Sequence, residues 1–500
     1  MISGRRVRID VAVNTGFGMI KVASLLLVIR LASAAYPAEV LGVFLLARRL
    51  ASTFASLLQL GSSQTLLRHM PMATSAGARR RYLAVACVLW GTVATLALAV
   101  LLPARSLLAI WAFPGFVDGP ELASWAIASM LASMLGFLVY TTFLSERRLV
   151  VANAIEFMSV SGFLLLPLIW LTDVPTPAAL LRFHSIGVLI LCAMALGGYL
   201  LVRRRPAVEA GPRPSWADAG RPFATYGLPR GAIAALDLAV ITLGPWLLRG
   251  SPVQAGHLLV ALTFIQTIQV ALAPITQIAS VVAADLVGRS DLARLGQGVR
   301  LLLGGTLYAA VLALAVLLPW SGHLLHVWLR NPELVAGVSY FFSWLVWGIV
   351  PVALFHALRG IIEIRWFAPW NLSTLLLSAV VQILVYSVGR GLLGETAAVR
   401  AALLSTFWTL GVLTLAVLDI SWWRPLHYWE VGRLMWVAGA VALVNGVLAE
   451  RPGPIEIILG GVLSAVIVLV GLGLWASPPA VQAVRSFLWP TAGLEPPGRS

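Results

Sequence analysis

Fourteen apolar runs, each near the roughly 20 residues needed to cross a bilayer as a helix, leave this chain almost no room to be anything but membrane-embedded. They fall at about 11–31, 40–67, 82–103, 122–144, 149–171, 178–202, 224–248, 255–283, 299–320, 335–358, 367–389, 396–420, 432–449 and 455–475. The chain is 60% hydrophobic and 11% charged, whereas a soluble domain is about half apolar and about a quarter charged. The expected class is an all-α integral membrane protein of about 14 transmembrane helices.

A net charge of +15 would suggest a nucleic-acid partner in a soluble chain, but here the basic residues must be read loop by loop. With the N-terminus inside, 23 of the 35 fall in cytoplasmic segments and eight on the opposite side, the bias expected of a multi-pass protein with both termini cytoplasmic. Lys21, Arg48, Arg49 and Arg230 remain, all within spans. Nucleic acid is excluded as a partner, membrane lipid is implied, and no cleaved signal is expected. Cys87 and Cys192 lie inside apolar runs and suggest packing rather than a disulfide or a metal site.

The widest loop, rich in Pro, Arg and Ala, divides six spans from eight. Since six is even, the seventh span starts on the same side as the first, and two parallel six-helix repeats are permitted. The expected organisation is an N-terminal lobe over 1–202, a cytoplasmic linker over 203–222 and a C-terminal six-helix lobe over 223–420. An accessory helix pair follows over 421–476, with a cytoplasmic tail over 477–500. The pair is joined by a tight turn at Glu450 to Pro454, and Trp422, Trp423, Tyr428 and Trp429 before it suit an interfacial anchor. Setting Gly256 opposite Gly42 places Thr263 opposite Arg49 and Gln266 opposite Ser52, a weak internal symmetry between spans two and eight.

Span two carries the chemistry. Arg48, Ser52, Ser56, Gln59 and Ser63 recur at steps of three or four and draw a polar line down one helical face. An arginine at the centre of a membrane helix costs roughly 2.5–3.5 kcal/mol on insertion scales, so adjacent Arg48 and Arg49 require partners or water. Two readings follow: the cations tie the bundle together, or they line a hydrated lumen that handles anionic cargo. Lys21, central in the first span, must likewise face protein or water. Asp237 in the seventh span, Arg230 two turns from it, and Glu156 in the fifth are candidates for cation coupling or for internal ion pairs. Walker A, GxSxG and HExxH sequences are all lacking, so an enzyme and a cofactor are not expected. His323 and His326 beside Arg330 are better read as interface residues.

Three stretches resemble a known family. Arg30-Leu31 followed by Glu39 to Phe44 resembles its junction between helices one and two. Leu60-Gly61 and Leu66 to Pro71 resemble its second-helix ending, and Tyr226-Gly227-Leu228-Pro229 with Asp237 resembles the opening of its seventh helix. The family is that of polysaccharide flippases, the O-antigen and capsule (Wzx-like) branch of the multidrug/oligosaccharidyl-lipid/polysaccharide (MOP) exporter superfamily. The resemblance implies two lobes rocking about a central cavity, with a polyprenyl-pyrophosphate-linked oligosaccharide as cargo, in a bacterial inner membrane alongside polysaccharide polymerase machinery. Lys21, Arg48 and Arg49 are then expected to hold the pyrophosphate, and Ser52, Ser56, Gln59, Thr263 and Gln266 the sugar hydroxyls. A cation-coupled drug or metabolite exporter of the same superfamily and a membrane glycan polymerase or ligase remain as alternatives.

Overall fold

The computed structural model describes residues 4–73, 75–171, 175–202, 214–288, 290–329, 331–366, 369–418, 428–449, 459–464 and 466–467, and these are helical almost throughout. The linker as far as 213, Trp422 and Trp423, the turn at 450–454 and the tail lie outside the described residues. In hydrocarbon a backbone must satisfy its own hydrogen bonds, and long Leu, Ala and Val runs do so as helix. Eleven helical segments among the described residues are long and apolar enough to cross a membrane, and a shorter apolar one covers Leu434–Ala449.

In chain order the helices are α1 (Gly4–Ala35), α2 (Ala38–Leu58), α3 (Ser62–Met72), α4 (Ala76–Leu101), α5 (Arg105–Ala112) and α6 (Gly119–Ser145). α7 (Leu149–Phe157) and α8 (Phe163–Trp170) are joined by a π-turn over Met158–Gly162, and α9 (Pro177–Val202) follows. After the linker, α10 (Trp216–Pro222) passes through a second π-turn, Phe223–Gly227, into α11 (Leu228–Leu247). Then come α12 (Pro252–Gly288), α13 (Leu292–Leu329), α14 (Pro332–Leu345), α15 (Ile349–Arg365), α16 (Trp370–Leu393), α17 (Glu395–Val417) and α18 (Tyr428–Ala449). Entries are fixed by side-chain caps: Ser75 accepts from Ala78 N, and Asn331 accepts from Glu333 N and Leu334 N ahead of Pro332.

The expected second span is not one helix. It breaks after Leu58, where Leu60 (φ 49°) and Gly61 (φ 71°) both take left-handed backbone. Gly61 lies directly against the backbone of Gly227 and Gly231, which leaves no room for a Cβ. At the opposite end of α2, Gly42 meets α12: a Cβ on Gly256 would sit 2.7 Å from the Gly42 Cα. The glycines aligned by sequence symmetry therefore touch in space.

Around these crossings α1 and α2 pack against α11, α12 and α13, and one continuous core joins both halves of the chain, with Ile29, Phe44 and Leu45 beside Val240, Leu258, Leu262 and Phe341. α18 docks on α13 through a buried polar contact, in which Trp320 Nε1 donates to Asn445 Oδ1 (2.6 Å) and Asn445 Nδ2 to Ser464 Oγ (2.7 Å).

Gly42→Ala should lower the thermal midpoint of the purified protein, since overpacking a helix crossing costs about 1–3 kcal/mol. Gly91→Ala, in open space on α4, should leave the midpoint unchanged or slightly raise it.

Candidate functional site

Arg48 is the eleventh residue of α2, roughly 15 Å from its start at 1.5 Å per residue, about half the thickness of a hydrocarbon core. At this level a chamber of about 160 Å³ opens between α1, α2, α6, the first π-turn, α9 and α12. Its polar wall is made by Arg48, Arg49, Ser52, Glu156, His184, Thr263 and Gln266. Ser129, Ser133, Tyr140 and Ser159 complete it, with Leu25, Ile29, Leu259 and Leu262 as the apolar part.

The two arginines are held by neutral groups. Arg48 Nη2 donates to the Val160 carbonyl at 2.9 Å. That carbonyl is free because the π-turn pulls Met158–Gly162 out of α-helical register, and the same turn gives the Ser159 carbonyl to His184 Nε2 at 2.6 Å. Ser129 Oγ lies 3.1 Å from His184 Nδ1, so a neutral imidazole donating to Ser159 and accepting from Ser129 satisfies both neighbours. Arg49 reaches across to the other half: Nε donates to Thr242 Oγ1 at 2.9 Å, and Gln266, its amide oxygen turned inward, accepts from Nη1 and, at 2.8 Å, from Nη2. Thr53 and Thr242 hydroxyls stand 2.8 Å apart beside it. Among the described residues neither guanidinium has a carboxylate within ion-pair distance.

Lys21 differs. Its ammonium is bonded to Glu156 Oε2 at 2.5 Å, and only Glu156 of the two lines the chamber. The pair is locked to the π-turn, where Ser24 Oγ lies 2.6 Å from Ser161 Oγ. Among the described residues the chamber's surplus positive charge therefore comes from Arg48 and Arg49.

The other expected site residues scatter. Ser56 and Gln59 are not on the chamber wall; Gln59 Oε1 accepts from Ser63 Oγ at 2.7 Å, where the helix break interrupts the polar line. Asp237 on α11 pairs with Arg359 Nη1 at 2.6 Å, and His356 Nε2 is 3.9 Å from its other oxygen. Arg359, which the span count puts in a loop, sits within α15 because that helix runs on to Arg365. Arg230 lies over the Tyr226 ring, 3.9 Å from its centroid. Sequence reasoning passed over His184, although a histidine inside an apolar run is a readable signal; the Ser159 and Val160 carbonyls carry none.

Both ends of α2 are closed. At the Gly42–Gly256 end Trp111 packs on Trp246 with centroids 5.1 Å apart, and at chamber level Trp328 Nε1 donates to the Leu26 carbonyl at 2.9 Å. At the far end Gly61 abuts Gly227 and Gly231. A chamber of about 160 Å³ is smaller than the roughly 300–1,000 Å³ of ordinary ligand pockets, so cargo of any size requires one end to part.

The helical bundle has the same fold as several solved membrane transporters. The lipid II flippase MurJ in an inward closed conformation superposes with a TM-score of 0.69, 11% identity, and coverage of 93% of this chain and 99% of that one. An inward-facing multidrug resistance MATE transporter of the MOP superfamily matches at 0.61, with 13% identity over 85% and 98%. A MOP superfamily transporter from Pyrococcus furiosus, described as having a binding pocket of reverse polarity, matches at 0.60, with 13% identity over 86% and 95%. At such identities the likeness is one of fold. These neighbours are transporters rather than enzymes. No protein-family profile matches the sequence, and no curated relative does.

A double-mutant cycle on thermal stability with Lys21→Met and Glu156→Gln should give a coupling of about 0.5–3 kcal/mol. The same cycle between Lys21→Met and Arg48→Met should give close to none.

Proposed function

We propose that the protein flips a polyprenyl-diphosphate-linked oligosaccharide from the cytoplasmic to the outer leaflet of a bacterial inner membrane, for surface polysaccharide biosynthesis. The observation that carries this is the pair Arg48 and Arg49, half-buried on the chamber wall and held by a carbonyl, a hydroxyl and an amide instead of a carboxylate. Neutral acceptors leave a guanidinium its full charge, and a planar fork suits phosphate oxygens. The diphosphate binds there while the polyprenyl tail stays in lipid; Ser52, Thr263 and Gln266 meet sugar hydroxyls. Lys21 serves by neutralising Glu156 on the chamber wall.

In this reading the bundles 1–202 and 223–420 rock about the seam, both termini are cytoplasmic, the Gly61 end faces the cytoplasm and the Gly42 end faces outward. The positive-inside distribution supports that orientation. The fold shared with a protein named as a lipid II flippase supports a lipid-linked cargo. The exported unit then passes to a polymerase outside. One observation favours a second reading, a cation-coupled drug or metabolite exporter: an intramembrane carboxylate, Asp237, sits between Arg359 and His356. Two unneutralised arginines oppose cationic drugs at the same chamber.

Deletion of the gene should trap lipid-linked oligosaccharide on the cytoplasmic leaflet. Arg48→Ala combined with Arg49→Ala should cut flipping about tenfold or more at unchanged protein level, since charge-assisted contacts are worth about 1.5–3 kcal/mol each. Undiminished flipping in that variant would refute the assignment, and unpolymerised units on the outer leaflet after deletion would point to a polymerase.

A further inference from the structure

A second cluster of cations lies on the same seam at the Gly61 end, outside the chamber. Arg68 of α3 and Arg230 of α11 both hold their guanidinium carbon against the Tyr226 ring, 4.4 and 3.9 Å from its centroid. His69 meets the same ring edge-on at 5.7 Å, and its Nε2 is buried without a hydrogen-bond partner. Arg81 of α4 stacks on Trp216 of α10 at 4.3 Å. Among the described residues neither Arg68 nor Arg230 has a hydrogen-bond acceptor or a carboxylate partner. The acid on α10, Asp218, is engaged by Ser215 Oγ at 2.7 Å.

Stacking holds a guanidinium by its face and leaves the N–H edge free. Two such edges meet at one tyrosine, and their fork geometry matches phosphate. The surroundings say where that phosphate comes from. Leu67 and Met72 on α3 and Leu228 on α11 are exposed beside the arginines, at 38%, 67% and 49%, a surface suited to an acyl or prenyl chain.

We propose that Arg68 and Arg230, splinted by Tyr226, form an anion site that takes the phosphate or diphosphate of a membrane-borne lipid headgroup before it reaches Arg48 and Arg49. The proposal deepens the flippase reading and rests on it for the identity of the cargo, but the site's chemistry stands apart from transport. Because the two arginines come from opposite sides of the Gly61–Gly227 contact, a headgroup seated between them competes with the stack that closes this end.

The test is binding, not flipping, so that its failure is separable from failure of the transport reading. Full-length protein in nanodiscs of neutral phosphatidylcholine is titrated with a polyprenyl diphosphate. Arg68→Gln with Arg230→Gln should weaken binding about tenfold or more, while Arg48→Ala with Arg49→Ala should still bind one lipid at the Gly61 end. Tyr226→Leu, which keeps both charges but removes the splint, should weaken binding less. Competition by inorganic pyrophosphate at similar concentration would assign the site to soluble diphosphate and overturn the lipid part of the proposal. Competition by phosphatidylglycerol would support it, with bulk anionic lipid as a ligand. Wild-type affinity in the Arg68→Gln, Arg230→Gln variant, folded by its thermal midpoint, would overturn the site and leave only a mechanical clasp.

Discussion

The contact on which the rest depends is Arg49 reaching from α2 to Thr242 on α11 and Gln266 on α12. A guanidinium half way along a membrane helix cannot be left in lipid, and here it is stabilised by polar groups that belong to the other half of the chain. That choice of partner ties the halves together at the level of the chamber without cancelling the charge. A carboxylate in place of Gln266 would cancel one of the two positive charges of the chamber. Arg48 follows the same logic by a different route, using a carbonyl released by the π-turn in α7–α8.

Charge neutralisation is spent elsewhere. Lys21 with Glu156 and Asp237 with Arg359 are both close ion pairs, each joining two helices of one half of the chain. Among the described residues the seam is therefore bridged by hydrogen bonds to neutral acceptors, glycine crossings and ring contacts. These are individually modest and can exchange partners, which suits a surface that must part. The crossing at Gly42 and Gly256 and the one at Gly61, Gly227 and Gly231 bring backbones into contact at both ends of one helix. A ligand needs only a few kcal/mol of differential affinity to shift a balance between such arrangements.

The sequence makes the helices and the intramembrane charges easy to read, because apolar length and isolated arginines are local signals. Even the Gly42–Gly256 contact is visible as symmetry between spans two and eight. Pairings are another matter. Lys21 and Glu156 are separated by three intervening spans, and no periodicity indicates that one ammonium is claimed by an acid while two adjacent guanidinium groups are not. The break at Leu60–Gly61 escapes the hydropathy pattern because apolar length does not report backbone conformation, and it interrupts the polar line after Gln59. The π-turn is the deepest omission, since its products are main-chain carbonyls, which every residue possesses.

A hydrated and electropositive chamber can be probed from within. In a background with Cys87 and Cys192 replaced by alanine, Ser52→Cys should react with a small anionic methanethiosulfonate about tenfold or more faster than with its cationic analogue, a preference lost when Arg48 and Arg49 become glutamine. Equal rates for the two reagents, or a preference that survives removal of both arginines, would contradict a chamber whose field is set by that pair.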